Sequence, residues 1–135
     1  MFDGGHYTIL NAKINGNALF EETENATVEN LGLYNCTING SEVGAGLINK
    51  ATNTNIKNVF VRLGEIKGAT TSGLVNECIS TNGTSTISNS FVDSSNLTYG
   101  LVGNVIAEGG NSIEIQNCYY ANSTMALPIN DQNVT

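Results

Sequence analysis

The chain has 135 residues and a net charge of −7, and only 13% of its residues are charged. This length predicts one domain with a substantial core. The polarity of the chain comes from 21 Asn, 14 Thr and 10 Ser rather than from charged residues. The acidic balance argues against a nucleic-acid partner and against attraction to anionic membranes, because both need a basic surface. No apolar run approaches the ~20 residues that span a bilayer, so membrane insertion is not expected.

A repeated leucine divides the chain into units of near-equal length. In each unit Leu is followed by Phe, Ile, Val or Pro, and successive leucines are separated by 28, 27, 27 and 26 positions. These leucines are Leu19, Leu47, Leu74, Leu101 and Leu127. We therefore predict one repeat domain of about five coils, in chain order near residues 2-17, 18-45, 46-72, 73-99 and 100-125.

A second anchor is a β-branched residue followed by any residue and then Asn, once in each unit. The asparagines of this anchor are Asn11, Asn30, Asn58, Asn89 and Asn117. Apolar and polar residues alternate around them with a period of two, which is typical of strands rather than helices. Strand-rich repeats of this length stack into a solenoid, so we predict a parallel β-helix whose coils lie ~4.8 Å apart.

Stacked coils would place these five asparagines above one another. Each amide could donate to the carbonyl of the next, and Asn is also suited to a turn. We therefore predict a structural ladder of side-chain hydrogen bonds at this position. The Gly before the repeated Leu, at Gly46, Gly73 and Gly100, indicates a turn or a close approach that a Cβ would obstruct.

These segments resemble the GLUG motif of bacterial surface and secreted proteins. The resemblance is carried by "AGLIN", "SGLVN" and "YGLVG", each followed by "NIKNVFV", "TISNSFV" or "EIQNCYY", and by the leading "FDGGHYTI". It extends from Phe2 to about Ser123 and implies a right-handed parallel β-helix, in adhesin-like proteins or in accessory regions of large secreted enzymes. The segment "ALFEE" departs from the motif because it lacks the leading Gly, and "GLINK" and "GLVNE" lack the trailing one.

No catalytic, metal or cofactor site is predicted. His6 is the one histidine, and zinc or catalysis would require partners for it, so we interpret it as a turn residue of the first coil. The three cysteines occupy different positions of the repeat without zinc spacing, which favours small buried residues. The acidic run "EETE", followed by Glu29, lacks the Asp, Asn and Gly pattern of a calcium loop, which favours a solvated turn.

The distribution of charged residues argues against an enzyme. Polysaccharide lyases and hydrolases with β-helices need clustered charged residues on one strand or two paired carboxylates. In this chain Asp3, Asp93 and Asp131 fall in separate coils. A single His in a terminal turn also cannot complete a Ser-His-Asp or Cys-His arrangement.

One feature of the repeat predicts a contact surface. Two residues after the repeated Asn, the chain has Phe60, Phe91 and Tyr119. If their neighbours point inward, these rings stack outward on one face, where sugar rings or a partner surface could bind. Two alternatives stay open, because a neighbouring loop or domain could cover the rings, or they could form a purely structural stack.

The sequence therefore predicts a non-catalytic, structural and adhesive β-helix segment of a bacterial cell-surface or extracellular protein. A host or matrix glycan or protein is the expected partner. Flanking domains of a longer parent chain are expected too, because both ends resemble the interior of a structural element. The alternative is an accessory binding module of a large secreted enzyme that acts on proteins or glycans. A third possibility is glycan hydrolysis by the helix itself.

Overall fold

The computed structural model describes residues 1–123, 125 and 126. This part of the chain contains β-strands and no helix, and hence none long and apolar enough to cross a membrane. The strands are β1 (Phe2–Leu10), β2 (Lys13–Ile14), β3 (Phe20–Glu24), β4 (Thr27–Asn39), β5 (Val43–Ala45), β6 (Ile48–Thr52), β7 (Asn55–Lys67), β8 (Thr70–Ser72), β9 (Val75–Ser80), β10 (Thr84–Ser88), β11 (Phe91–Asp93), β12 (Val102–Ala107), β13 (Ser112–Gln116) and β14 (Tyr119–Ala121).

The strands form three parallel sheets that run along the axis of a solenoid. The largest sheet has the order β1-β4-β7-β10-β13, with β11 paired to β7 and β14, and β2 paired to β4. A second sheet has the order β12-β9-β6-β3, and β5 pairs with β8 in a third. Every one of these pairings is parallel. One strand from each sheet, such as β4, β5 and β6, makes one turn.

The predicted parallel β-helix is confirmed, with about four turns where about five coils were expected. The second sheet contributes one strand to each turn and has four strands. Beyond it, β13 and β14 begin a further turn, and Leu127, the last of the repeated leucines, lies outside the described residues.

Inward-facing side chains form one continuous core along the axis. Leu47 and Leu74, at the repeated leucine position, are fully buried, and the Leu47 N–H donates to the Leu74 carbonyl in the next coil. Ile56 and Ile87, two residues before the repeated Asn, are also fully buried and pair in register. Each such side chain stabilises the fold by roughly 1.5–3 kcal/mol. The period-two alternation therefore identified the core face correctly.

The first coil departs from the predicted register. The repeated Asn anchor aligned Ile9, two residues before Asn11, with Val28, two residues before Asn30. In the structure Ile9 pairs with Leu33, and the partner of Val28 is Phe2. The cause is an irregularity between Asp3 and Tyr7, where Gly5 and His6 both have positive φ. In the later coils an Asn with positive φ occupies this place and turns the chain at a corner of the solenoid. The first coil therefore makes the same corner without the Asn that marks it in the sequence.

Glycine before the repeated Leu permits a close approach between coils. A Cβ on Gly73 would lie 2.1 Å from the carbonyl oxygen of Gly100, and one on Gly46 would lie 2.2 Å from that of Gly73. None of these three glycines has a positive φ. The close approach between coils, rather than a turn, therefore explains the Gly before the repeated Leu.

Candidate functional site: an amide column beside an aromatic column

Four of the five predicted asparagines form a vertical column at one corner of the solenoid. We call Asn30, Asn58, Asn89 and Asn117 the amide column. All four adopt the left-handed backbone conformation, with φ between 50° and 58°, which Asn tolerates better than most residues. The Asn58 side chain donates to Asn30 at 3.0 Å, and Asn117 donates to Asn89 at 3.2 Å.

The backbone geometry at this corner explains the sequence pattern around the repeated Asn. The left-handed residue interrupts the alternation, so the residues two before it and one after it both face inward. In the third turn these inward residues are Ile56 and Val59, and both are buried. Alternation then resumes, which directs Phe60 outward and Val61 inward.

Asn11 does not belong to the amide column, contrary to the prediction. It has φ of 58° but lies at a different corner, where its side-chain oxygen accepts a hydrogen bond from Asn35 at 2.9 Å. The place below Asn30 is taken by Asp3, which accepts hydrogen bonds from the Asn30 amide and from the Gly5 N–H. These two donors lower the pKa of the Asp3 carboxyl, the Gly5 N–H being the larger cause.

Further cross-coil amide bonds were missed by sequence reasoning. Asn39 donates to Asn15 at 3.1 Å, and Asn76 donates to Asn49 at 3.0 Å. Asn49 in turn donates to Glu21 at 2.7 Å. The signal that could have revealed these pairs is their separation of 24 or 27 residues. Asn49 and Asn76 also end the repeated "GLIN" and "GLVN" segments, so their pairing could have been predicted from the leucine anchor.

The three predicted aromatic residues stack on the outer face next to the amide column. We call Phe60, Phe91 and Tyr119 the aromatic column. Phe91 pairs in register with both Phe60 and Tyr119. The Phe60 and Phe91 rings are parallel within 2°, with centroids 5.6 Å apart, a separation typical of offset stacking. Phe91 is 38% exposed and Tyr119 is 65% exposed, so no described residue covers them fully.

A furrow separates the amide column from the aromatic column. Its first hollow, of about 330 Å³, is bordered by Asn30, Asn58 and Phe60 and extends to Thr8 and His6. A second hollow, of about 320 Å³, continues it past Asn89, Phe91, Asn117 and Tyr119. Asn89 and Phe91 border both hollows, so the furrow runs along the axis across successive coils.

Gly32 leaves one end of the aromatic column open. It pairs in register with Phe60, and Thr8 pairs with Gly32. The coil next to Phe60 therefore has no side chain at the aromatic position. The Thr8 hydroxyl lies over Gly32, 2.7 Å from where a Cβ would be. One face of Phe60 thus adjoins a gap that is bordered by polar groups.

The other residues singled out from the sequence lie apart from one another. His6 is exposed and has a positive φ, but it lies in the bulge of strand β1 rather than in a separate turn, and it reaches only the end of the furrow. The run "EETE" lies in strand β3 rather than in the predicted turn. Within the described residues no group of three His, Cys, Asp or Glu side chains is placed to hold a metal ion.

The three cysteines differ in burial. Cys36 and Cys78 are buried, as predicted, whereas Cys118 is only partly buried. Burial is also the largest influence on the Cys118 thiol and raises its pKa. The thiol therefore stays protonated and weakly nucleophilic at neutral pH.

Comparisons with known proteins give one partial relative. No protein-family model matches the chain, and no solved structure matches it. The chain is similar to the protein named Immunoglobulin A1 protease of Streptococcus pneumoniae, at 48% identity over 60 residues. That stretch is 44% of this chain and 3% of the relative, so the chain matches a small part of a much longer protein. Assignment to the GLUG family therefore stays a prediction, whereas the parallel β-helix that it implied is confirmed.

Proposed function

We propose that this chain is a non-catalytic, structural and adhesive segment of a bacterial cell-surface or secreted protein. The observation that carries the proposal is the exposed aromatic column beside the amide column, on a scaffold whose coils are joined by continuous parallel hydrogen bonding. Such a scaffold holds a long lateral surface rigid, which suits repeated contact with an extended partner. The similarity to a segment of a large bacterial protease supports a place within a long secreted chain.

Binding of the purified chain to host material tests this proposal. We expect saturable binding to at least one member of an array of glycans and extracellular-matrix proteins. We expect no release of product from those glycans or from immunoglobulin A1. Binding of none of them would contradict adhesion, and turnover of any of them would contradict a non-catalytic role.

A second candidate function is an accessory binding module of a large secreted enzyme. It is favoured by the name of the relative, which is a protease. Deletion of the segment from its parent protein separates the two functions. An accessory role predicts slower cleavage of the parent's substrate with the catalytic site intact, whereas an adhesive role predicts unchanged cleavage and weaker attachment of the bacterium.

A further inference from the structure

We propose that the furrow between the amide column and the aromatic column binds a neutral oligosaccharide chain. This inference deepens the adhesive role proposed above and rests on it. The furrow passes five coil levels, from Thr8 on β1 to Tyr119 on β14, which is on the order of 20 Å at the spacing of parallel strands. A ligand that fills it must therefore be extended and run along the solenoid axis.

The amide column supplies hydrogen-bonding groups that match sugar hydroxyls. A side-chain amide has two N–H donors and two acceptor lone pairs. The Asn58 amide uses one N–H on Asn30, and both Asn58 and Asn89 are exposed, so donor and acceptor capacity faces the furrow. Each hydroxyl of a sugar ring can donate and accept a hydrogen bond. Two neighbouring hydroxyls can therefore both hydrogen-bond to one side-chain amide. The left-handed corner fixes each Asn backbone, so little freedom is lost on binding.

The aromatic column supplies the apolar half of the same site. A sugar ring carries its C–H groups on its faces and its hydroxyls on its edge, so it can pack on a phenyl ring while its edge reaches the amides. Phe60 already stacks on Phe91 with one face. Its other face adjoins the Gly32 gap, where the Thr8 hydroxyl adds a polar contact. We place one sugar ring there, at the position that an aromatic ring occupies in the next coil.

The scarcity of charged side chains along the furrow favours a neutral ligand, since the titratable His6 and the Asp3 carboxylate lie only at its first end. No Asp, Glu, Lys or Arg borders either hollow in the part of the chain that the structure describes. The whole chain carries a net charge of −7, which disfavours sulfated, sialylated or phosphorylated ligands. An extended peptide is also disfavoured, because strand addition needs an unpaired strand edge and the furrow crosses strands that are already paired.

An array of neutral oligosaccharides, with sialylated and sulfated counterparts, tests the proposal. We expect binding to a neutral member and weaker binding to its charged counterparts. Phe60→Ala should weaken that binding at least about tenfold, the equivalent of 1.4 kcal/mol. In NMR spectra, the side-chain amide resonances of Asn58 and Asn89 should shift when the bound oligosaccharide is added.

Two further variants separate loss of the site from loss of the fold. Thr8→Phe places a ring over Gly32 and fills the gap beside Phe60 without removing a core contact, so it should block binding at an unchanged melting temperature. Tyr34→Ser is the matched control, because Tyr34 is 42% exposed and lies outside the furrow. It should bind the oligosaccharide as the unaltered protein does.

The outcomes distinguish this inference from the adhesive function. Binding only to matrix proteins, or glycan binding that Phe60→Ala and Thr8→Phe leave unchanged, would overturn the furrow site while the adhesive role stands. Preference for the charged counterparts would also overturn it. Binding to no glycan and no protein would overturn both. Loss of glycan binding in both furrow variants, with Tyr34→Ser unaffected, supports the site.

Discussion

At the scale of the residue, Gly73 marks the tightest contact between coils. A Cβ there would lie 2.1 Å from the Gly100 carbonyl oxygen and 2.6 Å from the Val92 side chain. Because a backbone oxygen cannot move without separating the coils, we expect Gly73→Ala to lower the free energy of unfolding by about 3 kcal/mol. Urea denaturation followed by circular dichroism measures the change.

Gly83 provides the matched control for Gly73. It has φ of 81°, and no atom lies within 4 Å of the position of an added Cβ. Gly83→Asn should therefore change stability little, because Asn tolerates this backbone conformation. Equal stability of the two variants would contradict the close approach between coils.

Two buried serines should respond to alanine in opposite directions. The Ser72 hydroxyl is fully buried with no hydrogen-bond partner among the described residues, and its register partner is Ala45. The Ser90 hydroxyl accepts from the Val59 N–H and donates to the Ser88 carbonyl. We expect Ser72→Ala to raise the free energy of unfolding by about 1 kcal/mol and Ser90→Ala to lower it by about 1–3 kcal/mol. A stability loss in Ser72→Ala would show that its hydroxyl has a partner.

At the scale of the element, Asn58 serves both the corner and the amide column. Asn58→Gly keeps the backbone conformation and removes the bond to Asn30, so it should cost roughly 0.5–1.5 kcal/mol. Asn58→Ala removes the same bond and also the polar side chain whose local hydrogen bonding lets Asn tolerate the left-handed region, which adds about 1–2 kcal/mol. The expected stability order in thermal unfolding is Asn, then Gly, then Ala. An alanine variant as stable as the glycine variant would contradict the role of the backbone.

The elements that the sequence predicted are those in which every coil uses the same residue for the same physical reason. The inward Ile56 and Ile87 and the corner asparagines recur because stacking imposes one environment on each register position. The first coil was misaligned because Gly5 and His6 form its corner, and a bulge has no fixed sequence spacing. The spacing of 19 residues between Asn11 and Asn30, against 28 or 31 elsewhere, is the mark of that difference.

The furrow could be predicted only in part. The aromatic column followed from residue spacing, because alternation determines which side chains face outward. The gap beside Phe60 could have followed from the same spacing, because Gly32 lies two residues after Asn30 as Phe60 lies two after Asn58. "NLGLY" and "NVFVR" align from the repeated Asn, with Gly in the first where the second has Phe. The Thr8 hydroxyl that borders the gap could not be predicted, because the first coil was misaligned. A missing side chain becomes a site only when its neighbours in the adjacent coils are known.

At the scale of the whole molecule, stability should depend on the number of stacked coils. Each coil of a solenoid contacts only its neighbours, so the fold tolerates loss of one complete repeat. Deletion of residues 73–99 joins Ser72 to Gly100 and brings Asn117 above Asn58 and Tyr119 above Phe60. It removes the carboxylates of Glu77 and Asp93 and no cationic residue, so charge repulsion does not increase.

We expect this shortened chain to keep the circular dichroism spectrum of a β-protein and to melt cooperatively at a lower temperature, because one interface between coils is lost. The control is deletion of residues 73–85, which removes only half of a coil. It should not fold, because every later strand would then stack on the wrong sheet of the preceding coil, and its apolar side chains would no longer face the core. If both deletions unfolded the chain, or both were tolerated, the coils would not be interchangeable units held in register by stacking.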